Sequence, residues 1–160
     1  MDRVFILLGT NVGNLKENLK KALEELRVNR IKVVKKSKIY KTRPWGNTNQ
    51  PHFLNMAIEA RCNHSPAELL RCLKKIEAKM GRKNGTRWSP RIIDLDIVFY
   101  GGSIVKMKKL TIPHKALYRR PFALIPLAEI SADFIPPGRK KPLKEYARKI
   151  NHEGIEVHRN

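Results

Sequence analysis

Two aspartates stand two residues apart in RIIDLDIVFYGG, residues 91 to 102. Asp94 and Asp96 interrupt an apolar pattern in which Ile93, Leu95, Ile97 and Phe99 alternate toward a core. Residues i and i+2 of a strand point the same way, about 6.5–7 Å apart. Carboxylates at that spacing can grip two magnesium ions, or one ion between them, because hard divalent cations combine carboxylate with substrate phosphate oxygens. Without a cation the two charges repel and one pKa rises. The plain alternative is an edge strand whose polar face is acidic. The surroundings favour a site: Arg82, Arg87 and Arg91 lie upstream and Lys109, His114, Arg119 and Arg120 downstream, in a chain with only 14 acids. Arginine offers phosphate a planar fork and lysine a point charge. The spacing and the cations together point to a metal–phosphate site.

Other residues could join it. GRKNGTRWSPR, residues 81–91, is a basic loop with two glycines that could close over a polyphosphate. Glu77 sits at the edge of a helical apolar stripe, placed either to pair with an arginine or to support the metal site. His114, in IPHK, either caps a helix or donates to phosphate. Asn55 on a strand face could read the donor–acceptor edge of a flat heterocycle. Phe53 and Phe122 could stack on its faces or simply pack in a core. LGTNVGN, residues 8–14, joins a strand to a helix but matches neither dinucleotide nor P-loop spacing. No HExxH, nucleophile elbow or kinase signature occurs either. Phosphoryl chemistry must use another scaffold.

The bulk numbers agree with a phosphate-bearing partner. In 160 residues, 34 lysines and arginines against 14 acids give a net charge of +20. That implies a polyanion, whether nucleic acid, nucleotide or phosphorylated metabolite. A lysine-rich solvated surface explains much of the excess equally well. No apolar run approaches the ~18 residues of a membrane span. Val4–Leu8 is too short for a signal-peptide core, so a cytoplasmic protein is expected. Cys62 and Cys72 form no CxxC pattern and are expected to be reduced thiols.

These residues need elements to hold them. RVFILLG (3–9) reads as a central strand, and NLKENLKKALEELR (14–27) as a helix capped by Asn14. IKVVKKSKIY (31–40) reads as one strand with a wet side, and TRPWGNTNQPH (42–52) as a loop. FLNMAIEARC (53–62) is a strand with Leu54, Met56, Ile58, Ala60 and Cys62 on one face. SPAELLRCLKKIEAKM (65–80) is a helix with Ser65 as N-cap, Pro66 at the first position, Glu68 completing a capping box and Gly81 as its stop. A strand over 92–100, a hairpin through 101–113 and two short helices complete the chain. The order β-α-β-β-α-β is that of an α+β, ferredoxin-like sandwich, an antiparallel sheet with helices on one face. Phe53, Asn55, Asp94 and Asp96 then collect on its open face. The chain is expected to be a single domain over 1–160.

The motifs also carry a resemblance. LGTN after the first strand, SKIYKTRPWG, QPHFLNMA, IEAKMGR, RWSPRIIDLDIVFYG, and LTIPH followed by RRPF occur in order from Val4 to about Ile130. Together they resemble the 6-hydroxymethyl-7,8-dihydropterin pyrophosphokinase family of folate biosynthesis. The resemblance implies transfer of a pyrophosphoryl group from ATP to the substrate's hydroxymethyl oxygen, with AMP and the pterin diphosphate as products. It implies two magnesium ions held by Asp94 and Asp96, with ATP as co-substrate. Arg82 and Arg91 join the aspartates as catalytic residues. Arg82, Arg87, Trp88, Arg91, Ile97, Lys109, Thr111, His114 and Arg120 take the ATP side. Thr42, Pro44, Trp45, Phe53, Asn55 and Phe122 take the pterin side, the two phenylalanines sandwiching the ring. Glu77 matches a family acid near the active centre. Ser89, Asn84 and Lys115 depart from the family pattern.

On this reading the partners are small molecules, a monomer is expected, and the length leaves no room for a fused folate enzyme. The competing class is an RNA-recognition module, favoured by charge and strand order. It lacks the aromatic RNP1-like stretch, and two acids on the open face would repel phosphate without metal, so nucleic acid is not expected.

Overall fold

The computed structural model describes residues 1–43, 49, 51–81 and 91–159. Its elements are β1 (Asp2–Thr10), α1 (Leu15–Val28), β2 (Lys32–Lys36), β3 (Tyr40–Thr42), β4 (Phe53–Cys62), α2 (Pro66–Lys79), β5 (Asp94–Tyr100), β6 (Val105–Met107), β7 (Leu110–Ile112), α3 (Pro121–Ile130), α4 (Leu143–Lys149) and β8 (Ile155–Val157). A short 3-10 turn, Leu117–Arg119, precedes α3. One sheet runs β5-β1-β4-β3-β8, with β2 also pairing β4, and every pairing is antiparallel. β6 and β7 form a separate hairpin. The expected α+β, ferredoxin-like arrangement is present.

Both long helices start as their capping residues dictate. Asn14 accepts the Glu17 amide at 3.2 Å. Ser65 and Glu68 exchange side-chain and backbone bonds at 2.9 and 3.2 Å, a complete capping box. α2 ends at Gly81, whose φ of +94° suits a residue without a side chain. The apolar stripes of α1 and α2 bury Leu19, Ala22, Leu26, Leu69, Leu73 and Ile76 against Val4, Ile6, Leu8, Leu54, Met56 and Ile58 of the sheet.

Four expectations are corrected. The strand over 31–40 is two strands. Ser37 closes on Ala57 through backbone and hydroxyl, and the Lys38 amide turns out to the Glu129 carboxylate of α3. The ladder breaks there and resumes at Tyr40. Next, Phe99 does not share a face with Leu95 and Ile97. A bulge leaves Val98 without a partner between Ile97 (opposite Ile6) and Phe99 (opposite Phe5), which reverses the alternation. Phe99 therefore joins Phe5 in an edge-to-face ring pair, centroids 5.7 Å apart. Third, the face away from α1 and α2 is open only at one end. Phe5, Leu7, Ala57, Val98 and Phe99 carry a second core there, roofed by Ala123, Leu124 and Leu127 of α3 and by Leu143 and Ala147 of α4. The fourth is β8, a strand beyond the two short helices that pairs with β3.

Candidate active site

The uncovered end of that second face gathers the chemistry. Asp94 on β5 lies opposite Gly9 on β1, and Gly9 lies opposite Asn55 on β4. Leu8, Leu54 and Leu95 face the helices, so Asp94, Gly9 and Asn55 all point the other way. One rung of the sheet thus carries a carboxylate and an amide two strands apart, about 9–10 Å at ordinary strand spacing. The residue between them has no side chain. A Cβ on Gly9 would stand 2.7 Å from Asn55 Oδ1 and 3.7 Å from the Phe53 ring. In the sequence Gly9 marks only the end of an apolar run. A lone glycine inside a strand is the signal for such a close approach.

Asn55 is fixed as well as placed. It is 4 % exposed, and its Nδ2 donates to Thr42 Oγ1 at 2.6 Å. Thr42 pairs with Phe53 across β3 and β4, so Thr42, Phe53 and Asn55 form one compact group. Phe122, near the start of α3, packs against the second core, with the Arg120 guanidinium 5.4 Å above its ring.

Asp96 stands one rung deeper, opposite Leu7, which in turn lies opposite Ala57. There the polar end meets the second core. Burial first, then the charges of Asp94 and Glu77, push the Asp96 carboxyl up to about 7. Arg120 and Lys74 act against that shift. Arg91 Nη1 sits 3.1 Å from Asp94 Oδ2. Glu77 lies inside the α2 stripe rather than at its edge. Its Oε2 accepts the Leu95 amide at 2.8 Å, and Lys74 reaches its Oε1 at 3.4 Å.

His114 follows the cis Ile112–Pro113 bond, and its amide donates to Val98 O at 3.2 Å. Its Nδ1 accepts the Ala116 amide at 3.3 Å. Burial and then Arg120 depress its pKa to about 4. The expectation of a cation here is corrected: the ring is neutral near pH 7, with its proton on Nε2, a donor without charge. Lys109 and Thr111 are exposed on the β6–β7 hairpin. Ile97 packs among helix-facing residues, so its side chain lies across the sheet from the aspartates. Arg82, Arg87, Trp88, Pro44 and Trp45 lie outside the described residues.

Among the described residues no group of three or more His, Cys, Asp or Glu is arranged to hold a metal. Two same-face carboxylates are the donor set for a hard cation that completes its shell with water and substrate oxygens. The upward shift of Asp96 comes first from burial and then from the negative charges of Asp94 and Glu77, and a divalent ion would offset both.

The family model described as 7,8-dihydro-6-hydroxymethylpterin-pyrophosphokinase matches residues 5–132. A 2-amino-4-hydroxy-6-hydroxymethyldihydropteridine pyrophosphokinase of Aquifex aeolicus is 40% identical over 146 residues, 91% of each chain. The protein of that name from Methylorubrum extorquens is 39% identical over 157 residues, 98% of each chain. The crystal structure of Plasmodium falciparum HPPK-DHPS with pteroate superposes with a TM-score of 0.76 at 14% identity, over 92% of this chain and 42% of that one. At that identity the last likeness speaks for the fold alone.

Proposed function

The chain belongs to the 7,8-dihydro-6-hydroxymethylpterin-pyrophosphokinase family and is a pyrophosphokinase of folate biosynthesis, and on that premise we propose that it works with two magnesium ions bound through Asp94 and Asp96. The reaction moves the terminal diphosphate of ATP to the hydroxymethyl oxygen of the dihydropterin, leaving AMP. The observation that carries the site assignment is the Asp94–Gly9–Asn55 rung, with carboxylate and amide on one face and an empty place between.

Bound magnesium supplies charge neutralisation along the triphosphate and a common template for the attacking and leaving oxygens. The chain's own residues do the rest. Asn55, held by Thr42, presents its amide to the pterin edge, while Phe53 and Phe122 take the ring faces. Gly9 leaves the floor clear. Arg91 and Arg120 turn guanidinium forks toward the phosphates, where charge spreads during transfer. His114 adds a neutral Nε2–H donor. Arg82, Arg87 and Trp88 belong to the same phosphate side by the family motif, and Pro44 and Trp45 to the pterin side. Lys109, Thr111 and the Ile97 backbone take the nucleotide. Attack on the β-phosphorus needs placement and charge compensation more than a strong base. The reading includes one domain over 1–160, acting as a monomer in the cytoplasm. No helix among the described residues is long and apolar enough to cross a membrane.

The test is direct. Incubation with MgATP and 6-hydroxymethyl-7,8-dihydropterin should yield AMP and the pterin diphosphate in equal amounts, and EDTA should stop it. Release of ADP, or no product at all, would refute the reading.

A further inference from the structure

The mechanism uses Gly9 of the LGTN turn but not Asn11, which is heavily bonded near the site. Asn11 is 2 % exposed. Its amide donates to Arg91 O at 3.0 Å, and its Oδ1 accepts the Arg91 amide at 2.7 Å. Its Nδ2 donates to Pro51 O at 3.2 Å. Pro51 lies two residues before Phe53, and Arg91 three residues before Asp94. One amide side chain therefore ties the backbone leading into the pterin strand, β4, to the backbone leading into the metal strand, β5.

The neighbours of Asn11 do not duplicate this. Thr10 donates its hydroxyl to Ile92 O, again on the β5 side. Asn18 bonds Thr10 Oγ1 at 3.0 Å and Val12 O at 2.7 Å, which anchors the turn to α1. The ladder of β1 reaches β4 as far as Thr10–Leu54 and β5 as far as Gly9–Asp94, and the Asn11 side chain carries the tie past both ladder ends, to Pro51 and Arg91. Removing all of Asn11 would loosen both lead-ins. Removing only its donor would separate them while leaving the Arg91 clasp.

We propose that Asn11 is a positioning residue that couples pterin binding to nucleotide binding. The inference rests on the pyrophosphokinase reading of the site. Ordering one lead-in by its ligand fixes the Asn11 amide, so the second ligand has less left to order. The coupling is reciprocal, as any linkage between two binding equilibria must be.

The experiment compares the full chain with Asn11→Asp, which keeps the Oδ1 acceptor and loses the Nδ2 donor. Affinities for 6-hydroxymethyl-7,8-dihydropterin and for a non-hydrolysable magnesium–ATP analogue are measured singly and with the partner ligand saturating. In the wild type each ligand should tighten the other by about tenfold or more, within the usual range of coupling. In Asn11→Asp the single-ligand affinities should stay within about threefold while the coupling falls toward one. Unchanged coupling overturns the proposal. So does a change confined to nucleotide affinity, which added charge alone would cause. Wild-type hydrogen exchange gives a reading that needs no variant: pterin alone should slow exchange at the Arg91 amide, across the junction from its own strand. No slowing overturns the coupling. Failure of the wild type to bind either ligand would strike the functional reading itself, a separate outcome.

Discussion

Glu77 of α2 accepts the backbone amide of Leu95 at 2.8 Å, and Leu95 is the residue between Asp94 and Asp96. The buried helix acid therefore sets the pleat of the strand that aims both carboxylates. Glu77→Ala leaves that amide buried and unsatisfied, which should cost roughly 1–3 kcal/mol of stability. Glu77→Gln keeps an acceptor and should lose less. It also removes a negative charge beside Asp96, so magnesium should bind more weakly. Urea unfolding and magnesium titration of the nucleotide complex separate the two effects. Equal stability loss in both variants would contradict the hydrogen-bond role.

Asp94→Asn and Asp96→Asn should each lower turnover by about a hundredfold or more, as loss of a group that positions transition-state charge commonly does. Their circular dichroism should match the wild type. Turnover is read as AMP formed at saturating substrates. A variant that keeps near-normal turnover would remove that aspartate from the metal set.

Gly9→Ala should damage the pterin side selectively. Its Cβ would meet Asn55 Oδ1 at 2.7 Å, so the amide must swing away or β1 must shift. Crowding of this kind costs roughly 1–3 kcal/mol. Pterin affinity should fall about tenfold or more, since 1.4 kcal/mol is one decade. Affinity for the magnesium–ATP analogue should stay within about twofold. Fluorescence titration of each ligand alone checks this.

The metal-free protein should hide two opposed titrations. Asp96 has a raised pKa, so its contribution is full below the ordinary carboxylate range and is lost as pH rises through about 7. His114 has a lowered pKa, so its contribution is full above about 6.5 and is lost as pH falls through about 4. Between about 4 and 6.5 the slopes oppose each other. Asp96→Asn should leave stability rising with pH there, and His114→Gln should leave it falling. Each slope approaches about 1.4 kcal/mol per pH unit. Urea midpoints in EDTA at four or five pH values would show whether the signs hold.

Much of this protein was written locally. The caps of both long helices need only Asn14, Ser65 and Glu68 and their nearest neighbours, so they were legible in order along the chain. The period-two stripe of β4 told which residues face the helices, and the spacing of Asp94 and Asp96 told that two acids share a face. Long-range contacts decided the rest. Val98 bulges where the register of β5 against β1 shifts between Phe5 and Ile6, and no window around Phe99 contains that long-range pairing. The roof of α3 and α4 depends on Ala57 leaving room on a strand some seventy residues earlier. Glu77 became the support of Leu95, and Asn11 the junction of two strands, only when the sheet brought distant backbone polar groups within reach. Sequence pattern reports what a residue's neighbours along the chain require. Hydrogen-bond partners and desolvation are set by what lies across the sheet, and there the tertiary structure alone turned one acid, Asp96, and one histidine, His114, into groups with shifted charge.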